Sequence, residues 1–336
     1  MYDQHAITVT DPTHVGAARR TATEIAARLD FDEPTAGRLG IVVTELASNI
    51  AKHAGEGEIV FTVSDRDGAK VIDVLALDRG RGMEDVERCL RDGYSSAGTQ
   101  GTGLGAVVRQ SVGFDIHSAP GGGTAIYAAV GAPVRRASGT AFDVGAVSTP
   151  KAGEFVCGDA WSFRERDRVG CFLVVDGLGH GQYAFEAAMA GVAAFEKWNG
   201  ESARDTLATI HGELRATRGA AAAVARIDPR RGLATFSGVG NVMATILSAG
   251  GRRQMVSHGG IVGHKAPRIA EFSYPWPDDG TLVLASDGLQ THWDLDRYRG
   301  LVTRTPALIA GVLYRDWVRG RDDTTVVVAR ARKAMP

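Results

Sequence analysis

Between residues 35 and 54, Leu39, Val42, Val43, Leu46 and Ile50 recur at steps of three and four, which predicts a helix with one buried stripe. An alanine-rich stretch near 14–29 predicts a helix before it, and apolar runs near 57–64 and 70–78 predict two strands after it. A glycine-rich middle follows, then a helix near 104–112 and strands near 114–119 and 124–130. The segment Gly131-Ala-Pro-Val-Arg-Arg-Ala-Ser-Gly139 is small, polar and basic without periodicity, and reads as a linker. Strand-like runs then fall near 171–176, 221–228, 233–238, 242–248, 281–286 and 324–330, with helical patterns near 180–198, 202–216 and 305–318. Helices segregated from several strands predict α+β architecture in place of a βαβ array. The expected division is a first domain over 1–131, a linker over 132–141 and a second domain over 142–333.

Length agrees with that division, since 336 residues are comfortable for two domains and too many for one ordinary domain. A formal net charge of -1 leaves no basic surplus to neutralise phosphates, which argues against a nucleic-acid partner. The cysteines Cys89, Cys157 and Cys171 cannot all pair and have no metal-ligand spacing, so they read as thiols of a reducing compartment. No apolar run approaches the roughly 18 residues of a membrane span. The start, Met1-Tyr-Asp-Gln-His5, is not that of a signal peptide. The expected location is the cytoplasm, with no membrane association.

The helix predicted over 35–54 carries polar residues as well. Glu45, Asn49 and His53 recur at four-residue steps, with Lys52 beside them. An amide oxygen can ligate a hard cation and an ammonium can meet phosphate oxygens, although a solvated polar face has the same pattern. Asp78 ends an apolar strand and leads into Arg79-Gly80-Arg81-Gly82, where the backbone can approach a ligand closely. Gly101-Thr-Gly103-Leu-Gly105 opens a helix whose free N–H groups suit phosphates. It follows a polar loop and not a strand, so it is not a dinucleotide fingerprint.

Taken in order, Glu45-x-x-x-Asn49, Asp78-x-Gly80-x-Gly82, Gly101-x-Gly103-x-Gly105 and Gly123-Thr124 resemble the nucleotide-binding boxes of the GHKL ATPase/kinase superfamily. Their compact spacing is similar to that of the anti-sigma factor serine kinases of the RsbT type. The resemblance implies a GHKL-type α/β sandwich that binds Mg-ATP. In it Asn49 ligates Mg²⁺, Asp78 meets the adenine amino group, Thr124 supports that contact, and Lys52, Gly80, Gly82, Gly101, Gly103 and Gly105 line the nucleotide. The position of Glu45 implies the general base for a protein serine hydroxyl. Some relatives place an arginine just before the third box, where this chain has Gln100, so nucleotide binding is the firmer expectation than phosphoryl transfer. A sensor histidine kinase would need a dimerising helical pair with a phospho-acceptor histidine upstream, for which the residues before the first helix leave no room.

In the second half, acidic residues stand at the ends of apolar runs. Asp159 lies in Cys157-Gly-Asp-Ala160, and Asp176 ends Cys171-Phe-Leu-Val-Val175 and opens Asp176-Gly-Leu-Gly-His-Gly181. Asp287 ends Thr281-Leu-Val-Leu-Ala-Ser286, and Asp322-Asp323 precede Thr324-Thr-Val-Val-Val328. Any single Asp-Gly pair reads as a turn. Several carboxylates at the ends of core strands are costly unless cations satisfy them, and together they suit Mg²⁺ or Mn²⁺. Two such ions roughly 3.5–4 Å apart can activate a water and neutralise a phosphoryl group in flight.

These pieces, with Gly238-Val-Gly-Asn241, resemble the PPM-type metal-dependent protein phosphatases, and among them the SpoIIE/RsbX-like bacterial branch. The resemblance implies a PPM-type αββα sandwich that hydrolyses phosphoserine or phosphothreonine. Asp159, Asp176 and the Gly177 carbonyl share the metals, Asp287 and Asp322 complete the set, and Asp323 stands behind them. His180 reads more as a structural residue than as a general acid, and Arg218 more as a surface residue than as a phosphate grip. The two resemblances together imply a regulator of partner switching acting on a STAS-domain anti-anti-sigma or stressosome-type protein. The alternative is a phosphatase whose amino-terminal half is a non-catalytic, nucleotide-dependent docking module.

Overall fold

Both long amino-terminal helices begin where an aspartate stands ahead of a proline. In the computed structural model, which describes residues 4–66, 68–90, 103–132, 140–264 and 268–332, Asp11 accepts from the Thr13 N–H at 2.7 Å and opens α1 (Pro12–Arg28). Asp32 accepts from the Thr35 N–H at 2.9 Å and opens α2 (Glu33–Asn49). Each cap satisfies an otherwise unpaired helical donor. The helix expected to run to residue 54 is regular only as far as Asn49. Ile50–Ala54 widen into a π turn, closed by the Gly55 N–H on the Ile50 carbonyl at 3.0 Å, and Gly55 takes φ +78°.

Tertiary contacts divide the chain into two compact units, one of residues 2–139 with 295–315 and one of 140–294 with 316–336. The first contains an antiparallel five-stranded sheet in the order β1-β2-β3-β5-β4, from β1 (Gln4–Val9), β2 (Gly57–Arg66), β3 (Ala69–Asp78), β4 (Gly113–Ser118) and β5 (Thr124–Gly131). Between β3 and β4 lie α3 (Val86–Leu90) and α4 (Gly103–Gln110). The stripe Leu39, Val42, Val43 and Leu46 joins Ala22 and Ile25 of α1 in a core against Ile59, Phe61, Ile72 and Val74 of the sheet. Each of the Val, Leu, Ile and Phe side chains among these contributes roughly 1.5–3 kcal/mol on burial. The opposite face of the sheet is buried too, at Leu75, Leu77, Ala125 and Ala129.

The second unit stacks two five-stranded sheets. One runs β13-β10-β9-β8-β7, from β7 (Asp159–Arg166), β8 (Val169–Gly177), β9 (Ala220–Asp228), β10 (Leu233–Val239) and β13 (Phe272–Pro275). The other runs β12-β11-β14-β15-β6, from β6 (Phe142–Thr149), β11 (Met243–Ser248), β12 (Gly251–Met255), β14 (Thr281–Ala285) and β15 (Thr324–Ala331). Phe142 of the second sheet packs edge-on against Phe163 and Phe172 of the first, at 6.0 and 5.4 Å between ring centroids. Helices α5 (Gln182–Phe195) and α6 (Ala203–Glu213) cover the first sheet through Ala187, Val192, Phe195, Leu207 and Ile210. The last helix among the described residues, α7 (Pro306–Trp317), lies up to residue 315 in the segment that belongs to the first unit.

Strands β1, β6, β7, β12 and β13 escape the sequence pattern. All five are sheet edges, and β12, Gly-Arg-Arg-Gln-Met, is exposed over its first four residues, so nothing apolar marks it. Most of the expected linker lies outside the described residues.

Candidate functional sites

In the first unit Asp78 ends β3 directly opposite Thr124, the first residue of β5. Its Oδ1 accepts from the Gly80 N–H at 2.8 Å and from the Thr124 N–H at 3.2 Å. Burial raises the Asp78 carboxyl, and those two N–H groups partly offset the rise. The loop that follows is tightly packed. A Cβ at Gly82, which has φ +68°, would stand 1.9 Å from the Ala119 carbonyl oxygen, so only glycine fits. Gly80 packs against Ala54 of the π turn, and the half-buried Glu45 and Asn49 lie on the last turns of α2 just before it. Gly103, at the start of α4, faces both: its Cβ position is 2.9 Å from Glu45 Oε2 and 4.0 Å from Asn49 Oδ1.

The structure thus brings together Glu45, Asn49 and Gly103, and joins them through the π turn to Asp78, Gly80 and Thr124. Gly105 is buried in α4, Lys52 is exposed on the π turn, and Gly101 and Gln100 lie outside the described residues. A buried carboxylate with its amide neighbours already in place can accept from an amino-substituted ring. An amide oxygen beside a helix N-terminus suits a cation–phosphate pair.

In the second unit Asp159 opens β7 directly across from Asp176 at the end of β8. Burial, then the charge of Asp176, drives the Asp159 carboxyl upward. Burial, then the charges of Asp287 and Asp322, pushes Asp176 up to about 7. Asp287 rises through burial and Asp322, and Asp323 rises through burial. Four raised carboxylates, with the charge of Asp322 beside them, make an oxygen-only donor set whose electrostatics call for cations. Among the described residues, no group of three acidic, histidine or cysteine side chains stands close enough to hold an ion as placed. Ser286 Oγ donates to Asp159 Oδ2 at 2.6 Å, and Asn241 Nδ2 donates to Asp287 Oδ2 at 2.5 Å, so polar neighbours engage the oxygens. The donor chemistry fits Mg²⁺ or Mn²⁺.

Glycines set the backbone around this cluster. A Cβ at Gly177 would lie 2.2 Å from the Ala184 carbonyl oxygen, and its N–H donates to the Gly158 carbonyl at 3.0 Å. Asp323 accepts from the Lys151 N–H at 2.9 Å. His180 pairs with Glu154 at 2.6 Å, and Arg218 lies over the Tyr183 ring at 4.8 Å.

Several residues at these sites carried no signal of their own. Ser286 bridges β7 and β15 by donating to Asp159 and accepting from the Thr325 N–H at 2.9 Å. Ser118 contacts Thr124 Oγ1 at 2.9 Å and accepts from the Met83 N–H at 2.9 Å. Arg319 and Arg321 line an open cleft with Asp287, Gln290 and Asp322. Their position directly before Asp322 was the available clue.

The family model of the histidine kinase-like ATPase domain matches residues 8–128, and that of stage II sporulation protein E (SpoIIE) matches residues 166–332. Over 129 residues the chain is 35% identical to the serine/threonine-protein kinase RsbT of Bacillus subtilis, covering 38% of this chain and 96% of that one. Over 140 residues it is 24% identical to the phosphoserine phosphatase RsbX of Bacillus subtilis, covering 41% of this chain and 70% of that one. The solved PP2C phosphatase domain of Bacillus subtilis SpoIIE, with a fragment of its regulatory domain, aligns with a TM-score of 0.51 at 21% identity over 81% of each chain, which shows the shared fold. The chain belongs to the histidine kinase-like ATPase family, as a kinase-like protein of the partner-switching group that also carries a SpoIIE-type phosphatase domain of the PP2C fold.

Proposed function

We infer that this protein hydrolyses phosphoserine or phosphothreonine on a STAS-domain or stressosome-type partner, and that its amino-terminal domain binds Mg-ATP and phosphorylates or docks the same partner. The observation that carries the phosphatase reading is the set of mutually opposed carboxylates at Asp159, Asp176, Asp287 and Asp322. Asp159, Asp176 and the Gly177 carbonyl would hold the shared metals, with Asp287 and Asp322 completing the second. Two bound Mg²⁺ or Mn²⁺ ions supply a low-pKa water and neutralise phosphate charge. Ser286 keeps Asp159 oriented, Asn241 does the same for Asp287, and Arg319 and Arg321 present positive charge to an incoming phosphate.

In the amino-terminal domain Asn49 would hold Mg²⁺. Asp78, kept in place by Gly80 and Thr124, would accept the adenine amino group, and Gly103, with Gly105 behind it in α4, would let the backbone approach the phosphates. Lys52 and Gly101 complete the proposed lining, and Glu45 is placed to take a proton from a serine hydroxyl. Gln100, where some relatives carry an arginine, favours the second reading, a docking domain that binds nucleotide without transferring phosphate. The three unpaired cysteines suit a cytoplasmic location, and among the described residues no helix is long and apolar enough to cross a membrane.

The first experiment is phosphate release from a phosphoserine protein with Mn²⁺, a chelator control and Asp176→Asn. Metal-dependent release, lowered at least about 100-fold in the variant, is the expected result. Release that is indifferent to chelator and variant would remove the phosphatase assignment. Radiolabelled ATP and the cognate partner then separate kinase from dock, because a dock yields no labelled product.

A further inference from the structure

Segment 295–315 belongs to the amino-terminal unit although it lies far along the sequence, between Asp287 and Asp322. Asp115 of β4 anchors its helix, accepting from the Thr305 N–H at 2.7 Å and from Arg304 at 3.2 Å. His117 meets Tyr298 edge-on, with 6.3 Å between ring centroids. Gly311 of α7 lies flat on β3, its Cβ position 2.9 Å from Leu77 and 3.5 Å from Leu75, so the helix touches the face of the sheet opposite α1 and α2. Tyr314, in the next turn, hydrogen-bonds Glu58 of β2.

Arg315 ends this run and is buried, 6% exposed. One nitrogen donates to the Asp78 carbonyl at 2.8 Å and the other to the Gly122 carbonyl at 3.0 Å. These acceptors belong to the two backbone segments, 78–80 and 122–124, whose N–H groups at Gly80 and Thr124 hold the Asp78 carboxylate. Gly123 is pressed between them, its Cβ position 2.1 Å from the Asp78 carbonyl and 2.9 Å from Arg315. A rigid planar fork gripping both segments fixes their separation, which a flexible ammonium does less well.

We propose that Arg315, supplied from the phosphatase half of the sequence, is a positioning residue of the nucleotide site, and that nucleotide binding and the docking of segment 295–315 are linked. The proposal rests on the nucleotide reading of the Asp78 site. Linkage is reciprocal: a nucleotide that needs the two segments at this spacing also favours the docked helix that sets it.

The test uses the full chain with Mg-ADP. Affinity is measured by calorimetry for the parent, Arg315→Gln, Arg315→Lys and Asp78→Asn, with thermal unfolding to confirm folding. Hydrogen exchange over 306–315 is followed with and without Mg-ADP. The expected result is a loss of about tenfold or more in Arg315→Gln, partial recovery in Arg315→Lys, and slower exchange over 306–315 when Mg-ADP binds the parent. Slowing over 306–315 that is present in the parent and lost in Arg315→Gln is a response that a merely structural arginine would not produce. Parent-like affinity in Arg315→Gln, or exchange indifferent to Mg-ADP, overturns the proposal. In that case loss of binding in Asp78→Asn still supports the nucleotide site. No binding by the parent removes both. Should Arg315→Gln not fold, parent-like affinity in a folded Arg315→Lys with unchanged exchange overturns it equally.

Discussion

At the scale of single residues, charge placement makes the sharpest predictions. Asp176 is pushed up to about 7 by burial and by the neighbouring charges of Asp287 and Asp322. A folded-state value above the unfolded one means that stability from this group is present at low pH and is lost as pH rises through about 7. Asp176→Asn is therefore expected to raise the melting temperature of metal-free protein at pH 8 while removing most of the rise that Mn²⁺ produces in the parent. Thermal scans with and without Mn²⁺ check both. For the parent, saturation at 100-fold over Kd corresponds to about 2.7 kcal/mol. Glu58 offers an independent case. Burial raises it from an ordinary value of 4.5, with Tyr314 and Arg79 partly offsetting. Its contribution falls as pH climbs above 4.5, so Glu58→Gln should stabilise the protein at pH 7 and have little effect at pH 4. Equal shifts at both values would show that packing, and not charge, governs this position.

At the scale of elements, turns matter more than strands. The β8–α5 connection brings Gly177 against the Ala184 backbone, where an added Cβ would sit 2.2 Å from the carbonyl oxygen. Gly177→Ala must move either the strand end carrying Asp176 or the helix, at a cost of roughly 1–3 kcal/mol. Urea denaturation should register that loss, and phosphate release should fall with it. An unchanged midpoint would mean that the turn adapts. Buried elements were legible in sequence because their periodicity is strong: the stripe from Leu39 to Ile50 marks α2, and Val71–Leu77 marks β3. Edge strands β1 and β12 were not, since an edge has no need of an apolar pattern. The π turn at Ile50–Ala54 also escaped, because the widening comes from how the chain closes on Gly55 and not from side-chain period.

At the scale of the whole molecule, segment 295–315 ties the halves of the sequence together. It folds with residues 2–139, yet Asp287 precedes it and Asp322 follows it in the chain. Saturating Mg-ADP is therefore expected to change the Mn²⁺-dependent rate of phosphate release by about fivefold or more, the lower range of ordinary coupling between sites. The measurement is a rate with and without Mg-ADP at a fixed excess of free Mn²⁺. Identical rates would mean that the two sites work independently.

The sequence by itself determined the helices and strands of the two cores, the ordered glycine boxes and the acidic residues at strand ends. These depend on local periodicity and on residue chemistry, which can be read along the chain. Only the tertiary structure decided that Asp159 stands across from Asp176, that Ser286 orients it, and that Arg315 clamps the backbone on both sides of Asp78. Strand register is set by pairing between strands, and the contacts of Ser286 with Asp159 and of Arg315 with Asp78 join residues 127 and 237 positions apart, so no local pattern encodes them.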